Sequence, residues 1–153
     1  DTGYVSYLQG LLRKYHVAPQ MIEIEVTERI LLENNDKAMK LFADFRKIGV
    51  GLTLDDFGTG YSSISYLTYI PVEKIKIDKT LTDTYLQEGK DDFIGILIEL
   101  AHCLDMKITV EGIEEQNQLS RLQKYGCDYV QGYYFCRPVP EDVAVKQIAY
   151  SIK

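Results

Sequence analysis

Apolar and polar positions along this chain follow two rhythms that take turns. Residues 4–15 carry Tyr4, Val5, Leu8, Leu11, Leu12 and Tyr15 at helical spacing, and Ala18-Pro19 closes the segment. Residues 21–28 switch to a period of two, with Ile22, Ile24 and Val26 on one face and Glu23 and Glu25 on the other. The helical period returns over 36–48 through Ala38, Met39, Leu41, Phe42, Phe45 and Ile48, with Asp36 expected as N-cap and Gly49 as the stop. A second strand follows at once, in which Leu52 and Leu54 alternate with Thr53 and Asp55, and a helical turn is expected over 62–67. Residues 74–78 predict a third strand, Ile75 and Ile77 facing one way and Lys76 and Asp78 the other.

The second half repeats the scheme. Residues 92–104 are apolar nearly all round, which predicts a deeply packed helix. A strand over 107–112 ends in Glu111, a helix over 115–125 stops at Gly126, a last strand covers 129–135, and Pro140 opens a terminal helix. A helix followed by five strand-then-helix repeats predicts an α/β fold with a parallel sheet and right-handed crossovers. Each strand ends on polar residues: Glu25 and Glu28, Asp55 and Asp56, Lys76 and Asp78, Glu111, and Gln131. In a parallel barrel the C-terminal strand ends share one mouth, so these residues would meet in space.

Composition narrows the functional classes. With 46% hydrophobic and 26% charged residues the chain reads as one ordinary globular domain. Seventeen basic residues against twenty-three acidic ones give a net charge of -6, which argues against a sequence-independent grip on duplex nucleic acid. No apolar run approaches the ~20 residues needed to cross a bilayer, so a cytoplasmic domain is expected, any anchor lying in other domains of the parent. Cys103, Cys127 and Cys136 lack metal-ligand spacing and read as buried reduced thiols. His16 and His102 read as structural or surface residues. Tyr61, Tyr66, Tyr133 and Tyr134 fall near the expected mouth, where packing with a satisfied hydroxyl competes with base stacking.

The stretch 51–63 concentrates the candidate chemistry. Adjacent carboxylates at a strand end repel each other, so Asp55 and Asp56 read either as turn formers opening a glycine-rich loop or as oxygen ligands of a hard divalent cation. Lys76 reads as a functional ammonium or as a salt-bridge partner of Asp55 or Asp78. Glu23, deeper in its strand, reads as an interior acid paired with Lys76, a ligand role being the alternative.

Glu25-Val26-Thr27-Glu28, the run from Asp55 through Gly58-Thr59-Gly60 to Ser63, Lys76-Ile77-Asp78, Glu111-Gly112-Ile113-Glu114 and the run from Gly126 through Gln131-Gly132-Tyr133 resemble, in order and spacing, the EAL domain family. That family comprises cyclic di-GMP phosphodiesterases and their degenerate relatives. The resemblance implies a TIM-type barrel that hydrolyses cyclic di-GMP to linear pGpG with two Mg2+ or Mn2+ ions. It further implies Glu25, Asp55, Asp56 and Glu111 as metal ligands, Lys76 and Glu111 as catalytic residues, and Gln131 beside the substrate. Glu28, Gly58, Thr59 and Gly60 are implied to anchor and shape the loop, which in the family also takes part in dimerisation.

The Glu-Ala-Leu strand that names the family, its following arginine and a later asparagine have no counterpart here, and Arg29 and Leu81 stand where the family often has serine and an aromatic residue. Five repeats where a barrel needs eight leave the sheet open. The expectation is that residues 1–153 are the C-terminal part of a single EAL-type domain, inactive alone, with a homodimer or partner chain covering the open edges. A non-catalytic module that binds cyclic di-GMP or serves as a protein-interaction scaffold is the alternative.

Overall fold

The computed structural model describes residues 2–27, 29, 35–59 and 64–151. Helix α1 (Thr2–Tyr15) and a 3-10 turn (Pro19–Met21) lead into strand β1 (Glu23–Thr27). Then come α2 (Asn35–Ile48), β2 (Gly51–Phe57), the short α3 (Ile64–Leu67) and β3 (Lys74–Ile77). The chain continues through α4 (Lys79–Tyr85), α5 (Asp92–Cys103), β4 (Lys107–Val110), α6 (Gln116–Lys124), β5 (Tyr129–Val130) and α7 (Glu141–Ser151). All strand pairs are parallel and the sheet order is β1-β2-β3-β4-β5, so sequence neighbours are sheet neighbours throughout.

The period-two pattern sorts the sheet into two faces. Val26, Leu52, Leu54, Ile75, Ile77, Ile108 and Val110 are all buried and join Phe42, Phe45, Ile94, Ile98 and Leu122 from the helices in one core. The opposite face carries Glu23 and Glu25, Thr53 and Asp55, Lys74 and Lys76, and Thr109, held level by registers such as Thr53 with Lys74 and Lys76 with Thr109. Register therefore decides which polar groups can meet.

Several boundaries differ from the sequence reading. Asp36 lies in the first turn of α2, one residue inside the expected cap. Helix α4 is an element the period did not reveal: Asp78 caps it, its carboxylate accepting from the Thr80 N–H at 2.9 Å. Helix α5 is not buried all round, for Phe93 and Ile96 are exposed while Ile94, Gly95, Ile98 and Ala101 are buried, Gly95 against the Tyr125 ring. The last strand stops at Val130 instead of running to 135, because the chain turns at Gly132 and the Phe135 N–H closes back on the Gly132 carbonyl at 3.2 Å. Helix α6 starts one residue late, with Glu115 as its cap in a reciprocal capping box with Gln118. Among the described residues no helix is long and apolar enough to cross a membrane.

Candidate active site

Three strands deliver acids to one ammonium. Lys76 Nζ lies 2.7 Å from Glu111 Oε1, 2.8 Å from Glu25 Oε1 and 3.0 Å from Asp55 Oδ1. Lys76 is 8% exposed, a burial that charge tolerates when hydrogen-bonded partners surround it. Burial alone would lower its pKa; the bonds to Glu111, Glu25 and Asp55 overcome this and raise it above the ordinary lysine value. With these carboxylates as partners, Lys76 is held charged as a hydrogen-bond donor.

Asp55 and Asp56 owe their placement to a β-bulge. Leu54 pairs with Ile75 and Phe57 with Ile77, so three steps along β2 are matched by two along β3. Asp56 is the extra residue, in the left-handed region at φ 56°, which an aspartate adopts more readily than most residues. Burial and the neighbouring charges of Asp55, Asp78 and Glu25 push the Asp56 carboxyl above its ordinary range, against the pull of Lys76. Desolvation comes first among these causes, and the charges of Asp55, Asp78 and Glu25 act with it. After the bulge the Asp56 carbonyl accepts from Thr59 Oγ1 at 3.0 Å, and Gly58 takes φ 92° where any Cβ would collide with Leu81 of α4. The expected loop residues Glu28 and Gly60, with Tyr61, lie outside the described residues.

Glu111 stands one residue past β4, its N–H donating to the Ile77 carbonyl at 3.1 Å. Gln131 likewise stands one residue past β5, its N–H bonded to Val110 O at 3.0 Å and its carbonyl to the Ile113 N–H at 3.1 Å. Gly132 is a structural residue that periodicity did not single out: a Cβ there would collide with the Ile113 backbone. Beside Gln131 opens a groove of about 430 Å³ lined also by Tyr133, Arg137, Ala144 and Gln147. Tyr133 and Tyr134 are exposed; the Arg137 guanidinium lies 4.8 Å from the Tyr133 ring, and the Tyr134 hydroxyl donates to Gln116.

Other expected pairings are corrected. Glu23 bonds Lys74 at 2.7 Å and accepts from the Thr53 hydroxyl, because register sets it beside Gly51, one same-face step below Thr53 and Lys74 and two below Lys76. Asp78 caps α4 and is not bonded to Lys76. The thiols are free, as expected, but Cys103 and Cys136 are exposed: Cys103 ends α5 on its outer side and Cys136 follows the truncated strand. Cys127 is half-buried, and burial pushes its thiol up to about 11. His102 binds the Asp128 carboxylate at 2.8 Å at the N-terminal ends of β4 and β5, where Asp128 also accepts from Lys107 and the Ile108 N–H.

The donor chemistry suits a hard divalent cation, since Glu25, Asp55, Asp56 and Glu111 offer carboxylate oxygens alone. Among the described residues no three acids, histidines or cysteines already converge on a point of cation size; the acids converge on the Lys76 ammonium.

These features define an α/β protein of the parallel barrel type with an acidic site at its C-terminal strand ends. A family model of the EAL domain matches residues 1–138, and the chain belongs to the EAL domain family. It is 36% identical to the cyclic di-GMP phosphodiesterase NbdA of Pseudomonas aeruginosa over 89% of this chain and 18% of that protein. The chain thus spans less than a fifth of that relative's length. The structure of the MucR phosphodiesterase of Pseudomonas aeruginosa in complex with cyclic di-GMP matches with a TM-score of 0.84 at 31% identity, covering 93% of this chain and 58% of that one. Klebsiella pneumoniae BlrP1, solved with manganese and cyclic di-GMP, matches with a TM-score of 0.79 at 32% identity, covering 88% and 34%.

Proposed function

We propose that the complete domain containing this chain hydrolyses cyclic di-GMP to linear pGpG, with two divalent cations, Mg2+ or Mn2+, held by Glu25, Asp55, Asp56 and Glu111. The observation that carries this reading is the meeting of Glu25, Asp55 and Glu111, from three strand ends, on the Lys76 ammonium. Membership of the EAL family and the chain's likeness to the phosphodiesterases NbdA and MucR support it. Such cations, when bound, lower the pKa of water and offset charge on the leaving oxygen.

The chain's own residues supply the rest. Lys76, kept charged by its acids, orients an attacking water or a phosphate oxygen by donating hydrogen bonds. Glu111, freed from Lys76 when substrate enters, is the carboxylate placed to take a proton or to join the ligand set. Gln131, tied through its backbone to Val110 and Ile113, presents its amide to water or substrate. Turnover is assigned to the complete domain, since among the described residues β1 and β5 are the edge strands of the sheet.

The test is incubation of cyclic di-GMP and Mn2+ with the chain alone and with the longest reading frame that contains it. Hydrolysis by the longer protein, abolished by Asp55→Asn, is expected. Tight binding of the nucleotide without turnover in the longer protein would instead identify a sensor module, and absence of both would overturn the reading.

A further inference from the structure

Glu111 is the acid of the Lys76 cluster that stands outside any strand, so its position depends on what grips residues 111–114. One grip is plain. Ile113 is fully buried, its N–H donates to Gln131 O at 3.1 Å, its carbonyl accepts from the Tyr134 N–H at 2.9 Å, and Gly132 leaves room for its backbone. The other side of the segment faces Lys79, the first residue of α4.

Gly112 takes φ 76°, and a Cβ there would run into the Lys79 stem, so the aliphatic chain of Lys79 lies directly over the Gly112 backbone. The Lys79 ammonium reaches past it to Glu114 Oε1 at 3.0 Å and shares itself with Asp83 Oδ1 at 3.0 Å. Lys79 is fixed in its turn because Asp78 caps α4 immediately after β3. The junction of β3 and α4 therefore holds the segment twice, by Lys76 on the Glu111 carboxylate and by Lys79 over Gly112 and on Glu114. Exposed ion pairs of this kind contribute little stability, about 0–1 kcal/mol by general experience, so a charge paired here on two sides is poorly explained by stability alone.

We propose that Lys79 is a positioning residue: its stem and ammonium clamp the Gly112–Glu114 turn against β3 so that Glu111 is aimed at Lys76 and the reacting phosphate. The inference rests on the reading of Lys76 and Glu111 as parts of the active site. Asp83 serves as an internal control, since it draws on the same ammonium from within α4 and touches none of residues 111–114 through it.

The experiment compares Lys79→Ala, Lys79→Arg and Asp83→Asn in the complete domain, by cyclic di-GMP turnover and by amide hydrogen exchange. Lys79→Ala is expected to lower kcat about tenfold with KM changed less than about twofold, because a small misplacement of a reacting group acts on the chemical step. Lys79→Arg, which keeps stem and charge, is expected to recover kcat to within about threefold, and Asp83→Asn to stay within about twofold of the unsubstituted protein. The Glu111 and Ile113 amides are expected to exchange about tenfold faster in Lys79→Ala and unchanged in Asp83→Asn. Unchanged kcat in Lys79→Ala, or a loss that arginine does not rescue, overturns the inference. If the unsubstituted domain does not hydrolyse cyclic di-GMP, the proposed function has failed, and exchange decides alone: faster exchange at 111 and 113 supports the clamp and unchanged exchange overturns it.

Discussion

Lys74 and Lys76 sit two residues apart on the same strand and the same face, yet their surroundings are built to opposite ends. Lys74 faces one carboxylate, Glu23 at 2.7 Å, which also accepts from the Thr53 hydroxyl, and its ammonium lies 4.7 Å from the centre of the Tyr129 ring. Charge there is balanced one to one, as a stable polar layer requires. Lys76 faces three carboxylates and has Asp56 close by, so around this one ammonium the acids outnumber it. The difference teaches that an ion pair inside a sheet says little about function until its charges are counted. The balanced layer holds the strands together, and the unbalanced layer, one step nearer the strand ends, holds potential for a ligand.

The largest expected break of this contrast is Lys76→Met. It strips the bonded ammonium from three acids and should cost about 2 kcal/mol in urea melts, below the usual range for a buried pair because Glu25 is half-exposed. In the complete domain it should also lower turnover by about 10²-fold or more, as removal of a positioned donor does elsewhere. Glu111→Gln should separate the two properties. Turnover should fall by a comparable about 10²-fold, while stability moves by less than about 0.5 kcal/mol because Glu25 and Asp55 still serve Lys76. A large stability loss in that variant would mean that the upper layer is structural after all.

Lys74→Met should give the mirror image, a loss of about 1 kcal/mol with turnover within about twofold. The smallest effect expected is one of pH. Burial would raise the Glu23 carboxyl, but hydrogen bonds from Lys74 and Thr53 and the charges of Lys74 and Lys76 hold it below its ordinary 4.5. A depressed acid stabilises the fold above its unfolded-state pKa and ceases to do so as pH falls through the folded value. Glu23→Gln should therefore cost roughly 0.5 kcal/mol at pH 6, and the difference from the unsubstituted chain should shrink as pH falls below 4.5 and through the folded value in paired denaturation curves.

Much of this architecture was legible because the period of two is strong where it matters. Ile24 and Val26, Leu52 and Leu54, and Ile75 and Ile77 mark one face, and with it the opposite face that carries Glu25, Asp55 and Lys76. Helix α4 escaped because its run is rich in β-branched threonine and offers little apolar period, although Asp78 ahead of Thr80 is a capping signal. The last strand was read too long because Tyr133, Tyr134 and Phe135 look like strand residues, and the close approach of Gly132 to Ile113 is a tertiary fact with no local signature. The partner of Glu23 was misjudged for a related reason. Alternation tells which face a side chain occupies, and register, set by pairing between distant segments, tells at which height.

The bulge in β2 carries a further consequence. Leu54 and Phe57 both point into the core with two residues between them, where an unbroken ladder has room for one. Excising Asp56 would leave Asp55 and Phe57 in correct phase with β3, and would relieve a non-glycine residue of its left-handed backbone. The shortened chain would have a smoother strand and a poorer acid cluster. Here the sheet gives up regularity at a single residue, and that residue adds a fourth carboxylate to the three gathered at the mouth.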